Sequence, residues 1–264
     1  MKRWDFDSLA DFARACDALP ADIKRRFSDE SWTGETFSES LRLASSGGTE
    51  AHVPAAEAML SQIHASLPET AARRWVLDHA GAFPCVPAYL AGEPENMWAA
   101  ADMPADTSPV RIFVCSTSSA GVSHHDLQRR GCAALALVML ASRTRPVELY
   151  SYAHVAEIGR GVGDAVIVQR LQSHPLMLSE VAYVLTSAGW ARNLTYAVLA
   201  HRGASLHWGG ATKRDGYQAG SATRSLLALE PQDVLIGPAR LYDPAVSDPV
   251  GFVHRELARL NLAT

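Results

Sequence analysis

Residues 110 to 115 read VRIFVC, apolar everywhere but Arg111, and similar runs return at Val147 to Val155, at Asp164 to Leu171 and in DVLIGPA. Short continuous apolar runs bounded by turn residues predict buried strands. Between them the period lengthens. Leu127 to Arg143 is apolar on most faces of a helix, Leu178 to about His201 predicts a long helix broken near Gly189, and PVGFVHRELARLN predicts a closing one. The AEIGRGVG segment between two of the strands carries three glycines that suit a hairpin. Strands alternating with helices predict an α/β domain over residues 109 to 264, built on a mostly parallel, doubly wound sheet covered on both faces.

The first 80 residues predict a helical region. Phe6, Leu9, Phe12 and Cys16 recur at helical spacing, Thr36 or Ser38 caps a second helix that stops at Gly47-Gly48, a third opens after Pro54, and a fourth covers Glu69 to His79. From residue 81 to 108, Pro84, Pro87, Pro94 and Pro104 exclude a long helix. Phe83, Val86, Tyr89, Leu90, Met97 and Trp98 are more apolar than a solvated linker would be, which predicts an extended connecting arm lying along the second part, with a boundary near residue 105.

Composition adds limits. With 264 residues, 48% of them hydrophobic and 20% charged, the chain can bury a sizeable core without staples. Cys16, Cys85, Cys115 and Cys132 show no CxxC pair or zinc spacing, so reduced thiols in a cytoplasm are expected. Asp5, Asp7 and Asp11 interrupt any signal-peptide core, and the longest apolar run, CAALALVMLA, is far short of the roughly 20 residues a membrane span needs. Residues 1 to 108 hold 9 Lys+Arg against 17 Asp+Glu, a net −8, and the remainder 15 against 11, a net +4. That asymmetry fits two surfaces that pack together, or a basic face that meets nucleic acid.

In an open α/β sheet the ligand crevice lies beyond the carboxyl ends of the strands. Ser116, Thr117, Ser118 and Ser119 follow the first apolar strand directly, which places them on an expected exposed rim, and Gly121 lets the chain turn. Ser123 and Asp126 have capping-box spacing, so His124 and His125 are either first-turn surface residues or ligands. Arg129, Arg130 and Arg143 read as the solvated rim of that helix. The glycine-rich stretch from His201 to Ser221 brings His207, Trp208, Lys213 and Arg214 onto one loop that could touch a partner or phosphates. No GxSxG, GxxxxGK[ST], HExxH or GxGxxG occurs. A cryptic enzyme would have to use Cys115 with His124 or His125.

The order strand, hydroxyl loop, helix, antiparallel strand pair, helices, strand, helix, together with FVCSTSS, GGAT and VLIG, resembles the von Willebrand factor A domain. The segments SWTGETFSESLRLASSGG, GAFPCVPAYLAGEPENMW and RRGCAALALVMLASRTRPVELYSY resemble a family of uncharacterised proteins encoded by tailed phages. The A-domain resemblance implies a metal-ion-dependent adhesion site, Asp-x-Ser-x-Ser with a later Thr and a later Asp. Cys115 stands in the place of its first Asp, Thr117 and Ser119 in the hydroxyl places, Thr212 in that of the Thr, and Ile236-Gly237 where the second Asp belongs. Both carboxylates are missing, so the resemblance implies a degenerate site with at most weak binding of a divalent ion, unless Asp215 or Asp243 swings in. No other cofactor is expected. The resemblances together imply a phage-encoded, non-enzymatic interaction protein with a phage or host protein as partner, located in the host cytoplasm or the virion and not in a membrane. The alternatives are a nucleic-acid-associated accessory protein of phage replication or transcription, and the cryptic Cys/His enzyme.

Overall fold

The computed structural model describes residues 2–51, 53–66, 75–80, 83–100, 109–118, 121–143, 145–155, 165–173, 176–203, 221–240, 242–260 and 262. Strand β1 (Lys2–Phe6) leads into helices α1 (Leu9–Asp17), α2 (Ala21–Arg26), α3 (Glu30–Thr33), α4 (Phe37–Ser45) and α5 (Val53–Ser66). Next come β2 (Trp75–Asp78), β3 (Phe83–Pro84), α6 (Val86–Leu90) and β4 (Met97–Ala100). The remainder runs β5 (Val110–Cys115), α7 (His124–Ala141), β6 (Val147–Val155), β7 (Ala165–Leu171), α8 (Leu178–Thr186), a π-helical segment (Trp190–Thr195), α9 (Tyr196–His201), α10 (Ser221–Leu226), β8 (Val234–Ile236), α11 (Pro244–Ser247) and α12 (Pro249–Arg259).

Five strands form one sheet in the order β1-β7-β6-β5-β8. β1 runs parallel to β7, and β5 runs parallel to both β6 and β8, while β6 and β7 are antiparallel. The protein is therefore an α/β fold on a mostly parallel five-stranded sheet. Period-two alternation sorts its side chains. Ile112, Val114, Leu149, Ala153, Ile167 and Leu171 share one apolar cluster with residues of α1, α4, α5, α7, α8, α9 and α12. On the opposite face Phe113, Cys115, Tyr152, Val166 and Val168 meet Leu227, just after α10. Among the described residues the helices thus lie predominantly on one face of the sheet, where a doubly wound sheet has them on both.

The first strand departs from the expected helical region. In Lys2–Phe6, Trp4 and Phe6 alternate with Arg3 and Asp5, and the apolar pair packs toward the helices. The helical stripe begins only at Leu9, where Ser8 caps α1 by accepting the Asp11 N–H at 3.1 Å. The helix expected at Glu69 to His79 is replaced at Trp75–Asp78 by β2, and the Pro-rich arm folds back on itself. There β2, β4 and β3 pair as a three-stranded antiparallel sheet, with Leu77 opposite Trp98 and Phe83 also opposite Trp98. The hairpin glycines between β6 and β7 and the boundary expected near residue 105 lie outside the described residues.

Helix α7 is the spine of the helical layer. Its residues from Gly131 to Val138 are all buried, and it packs against α8, α12, α5 and α11. Gly131 lets α8 approach: a Cβ placed there would collide with the Leu185 carbonyl. Alanine normally favours a helix interior over glycine by about 1 kcal/mol. Gly131→Ala is expected to do the opposite here, lowering stability by about 1–3 kcal/mol as the two backbones are forced apart, measured by urea denaturation.

Candidate functional site

The hydroxyl segment after β5 turns inward. The Ser116 N–H and Oγ both donate to the Tyr152 carbonyl, at 2.8 and 3.2 Å, so pairing with β6 continues past the end of the strand. Thr117 is 1% exposed and its Oγ1 lies 3.1 Å from Cys115 Sγ. Its carbonyl accepts the Ala239 N–H at 3.0 Å, and Ser118 bridges Ala239 in parallel, so the chain after β8 accompanies the chain after β5. Ser116, Thr117 and Ser118 are therefore buried, contrary to the exposed rim expected of them, because ladder-like pairing runs on beyond both strand ends. Ser119, His207, Trp208, Thr212, Lys213, Arg214 and Asp215 lie outside the described residues.

What closes the crevice is Arg130. Only 1% exposed, it is no part of a solvated rim. Its Nη1 donates to the Cys115 carbonyl at 3.1 Å, its Nη2 to the Gly237 carbonyl, and its Nε to Asp243 Oδ2 at 3.1 Å. One guanidinium thus ties together the carboxyl ends of β5 and β8 and the start of α11. Asp243 does come to this end of the sheet, but as the partner of Arg130 and the cap of α11, accepting the Ala245 N–H at 2.9 Å. A sequence signal for this role exists: Arg130 is three residues from Leu127 and four from Ala134, in phase with the buried stripe, whereas exposed Arg129 is not.

Around this plug is the exposed rim. Ser123 caps α7, accepting the Asp126 N–H at 3.1 Å while its hydroxyl donates to Asp126 Oδ2 at 2.8 Å. His124 and His125 are exposed on the first turn, as one of their two readings had it. Beside Asp243 stands Tyr242, 94% exposed and with φ 63°, a left-handed backbone that is uncommon for any residue but glycine. The loop between β5 and α7 is roofed by Trp32, which packs on Val122, Leu127, Ala188 and Ala239 and lies under the Arg192 guanidinium at 5.3 Å. Arg192 also pairs with Asp29 at 3.0 Å.

Sequence reasoning missed a polar network beneath that roof. Glu35 accepts hydrogen bonds from Ser40 Oγ at 2.8 Å and Ser187 Oγ at 3.0 Å. Asn193 Nδ2 donates to the Glu35 carbonyl at 2.9 Å and to Ser40 Oγ at 3.0 Å, and the Tyr183 hydroxyl donates to the Ser40 carbonyl at 2.8 Å. Burial pushes the Tyr183 and Tyr196 hydroxyls above the usual phenol range, so both remain protonated donors. The π-helical turn, with buried Asn193 and Thr195 on it, places this network. The signal in the sequence was the run of small and polar residues, TSAG and RN, inside an otherwise apolar helical stretch.

A cavity of about 570 Å³ is at the opposite end of the sheet, where β5 and β6 start and β1 and β7 finish. It is lined by Asp7, Glu148, Arg170 and Glu180 among others. Tyr150 donates to Glu148 at 2.9 Å, Arg170 stands 3.8 Å from Glu148, and Glu180 accepts the Gln172 N–H at 3.0 Å. Burial holds the Glu180 carboxyl above its usual range. A third surface is α6, whose Val86, Tyr89 and Leu90 are all exposed. Among the described residues no cluster of His, Cys, Asp and Glu could hold a metal ion, and no helix is long and apolar enough to cross a membrane.

These features define an α/β protein whose central crevice is filled by its own arginine and whose exposed groups stand on the surrounding rim. Residues 2–262 match the model of a domain of unknown function, DUF7192, and the chain belongs to that family. None of the curated proteins and none of the solved structures matches it.

Removing one partner of a buried pair strands the other. Arg130→Met is therefore expected to cost about 3–5 kcal/mol in urea denaturation, and adding Asp243→Asn, which keeps the cap on α11, should recover part of that loss. Glu180 works in the other sense. Its raised folded-state pKa means that the folded protein holds its proton more tightly than the unfolded chain, so stability falls as pH rises through the shifted value. Glu180→Gln should melt at a higher temperature than the wild type at pH 7, with the difference closing below about pH 4, where both carboxyls are neutral.

Proposed function

We propose that this protein is a phage-encoded, non-enzymatic interaction module of the von Willebrand factor A-like class, which engages a protein partner through the rim at the carboxyl ends of β5 and β8. The A-like reading is supported by connectivity. Counted from β5, the strands stand third, second, first, fourth across the sheet, the third antiparallel and reached from the second directly, with α7 leaving the first. The phage origin, and with it the host cytoplasm or the virion as location, rests on the sequence segments quoted above.

The observation that carries the interaction reading is Tyr242. A fully presented aromatic in a left-handed conformation is costly twice over, in exposed apolar surface and in backbone strain. Asp243, fixed by Arg130 and by its capping bond, holds the residue there. Exposed His124 and His125 begin α7, the helix that carries Arg130. A non-catalytic role is supported by the burial of Cys115 and Thr117 against each other and by the guanidinium filling the space where a substrate or a divalent ion would meet the strand ends. Of the residues of the expected weak metal site, Thr117 has its hydroxyl against Cys115 Sγ, while Ser119 and Thr212 lie outside the described residues.

The test is affinity capture from infected cells and from purified particles, followed by mass spectrometry. Tyr242→Gly relieves the left-handed strain, so its stability should equal the wild type or exceed it by up to about 1 kcal/mol, while partner recovery should fall at least tenfold. Undiminished recovery by this variant would remove the rim from the proposal. Binding of single-stranded or duplex DNA that weakens steeply with salt would favour the accessory role in replication or transcription instead.

A further inference from the structure

Behind the buried hydroxyls, between the end of β5 and helix α8, is a small cavity lined by Cys115, Ser116, Leu127, Ser151, Val184 and Ser187, among others. It offers about 10 Å³ to the centre of a water-sized molecule, the space of one water. Ser151 is fully buried, and its Oγ has no hydrogen-bond partner among the described residues. The side-chain amide of Gln169, directly across from Ser151 in the β6/β7 register and equally buried, is in the same condition. A buried hydroxyl left unpaired is costly, and native cores seldom tolerate it.

We infer that this cavity is a binding site for one internal water molecule, held by Ser151, Ser116 and Ser187. For these three hydroxyls the donor and acceptor count closes. Ser116 Oγ spends its proton on the Tyr152 carbonyl, and Ser187 Oγ spends its own on Glu35 while accepting the Trp190 N–H at 3.1 Å. Each keeps a lone pair. Ser151 Oγ keeps both its proton and its lone pairs. A water donates to Ser116 Oγ and Ser187 Oγ and accepts from Ser151, which gives it three bonds, the usual number for a buried water. It thereby joins the middle of the sheet to the Glu35 network through Ser187. The site is too small for a substrate and holds no charged group of its own, so water is the ligand it fits.

A crystal structure of the wild-type protein at a resolution that shows ordered solvent, together with denaturation of Ser151→Ala, tests the inference. A single density peak within 2.7–3.2 Å of the three hydroxyls is the expected result. A dry cavity, or Ser151 Oγ bonded directly to the Gln169 amide, would overturn it. In urea, Ser151→Ala should raise the unfolding constant severalfold, because the water loses one of its three partners. A shift the other way, as relief of an unpaired buried hydroxyl would give, counts equally against the site.

Discussion

The guanidinium of Arg130 is the interaction on which the architecture turns. A permanent cation with five donors is placed where two strand ends present their carbonyls, and its one carboxylate partner, Asp243, begins a helix. Such a group is tolerated in a core only when its charge is balanced and its protons are placed. Asp243 balances the charge and three of the five protons have acceptors, at Asp243, Cys115 and Gly237, which draws distant segments together: residues 115, 130, 237 and 243 become neighbours. The hydroxyls that follow β5 can then turn inward, because the exit from the sheet is already sealed and they find backbone carbonyls and a thiol in place of solvent.

The second constraint is that the first helices are not an appendage. Phe12, Phe37, Ile63 and Trp190 belong to the same apolar cluster as the sheet, and β1 forms its edge. Phe12 and Trp190 rings meet at 4.8 Å, and Tyr183 and Trp190 at 6.0 Å. The extra residue per turn of the π-helical segment puts Asn193 against Glu35 and Ser40, so a polar contact fixes the register of an otherwise greasy interface. Apolar packing alone would allow α4 to slide along α8 at little cost; four directional bonds would not.

Where the pattern of residues has a single physical solution, sequence and structure agree. Val147–Val155 is predicted as a strand to the residue, β7 begins within one residue of its predicted start, and the break expected near Gly189 is present as the end of α8. Disagreement arises where local and long-range terms compete. Trp4 and Phe6 fit both a helical stripe with Phe12 and a period-two strand, and only the open edge of β7 decides between them. The hydroxyls of Ser116, Thr117 and Ser118 carry no mark of burial, since that depends on residue 130, in the next helix, and on Ala239, 121 positions from Ser118. Arg130 is readable by phase, but the general rule that arginine faces water points the other way. The Glu35 network joins residues about 150 positions apart through single hydrogen bonds, which no local pattern encodes.

Tyr242 ties the buried charge to the surface. A left-handed backbone at a non-glycine residue persists only when its surroundings over-determine it. Here the next residue is held twice, by Arg130 through one carboxylate oxygen and by the Ala245 amide through the other. Relaxing φ at Tyr242 would have to move Asp243 and break one of those bonds. An extended conformation would also swing the ring away from the direction in which it is presented. The same guanidinium that fills the crevice therefore makes the rim rigid, and rigidity is what an exposed aromatic needs if it is to bind a partner without a large loss of conformational freedom.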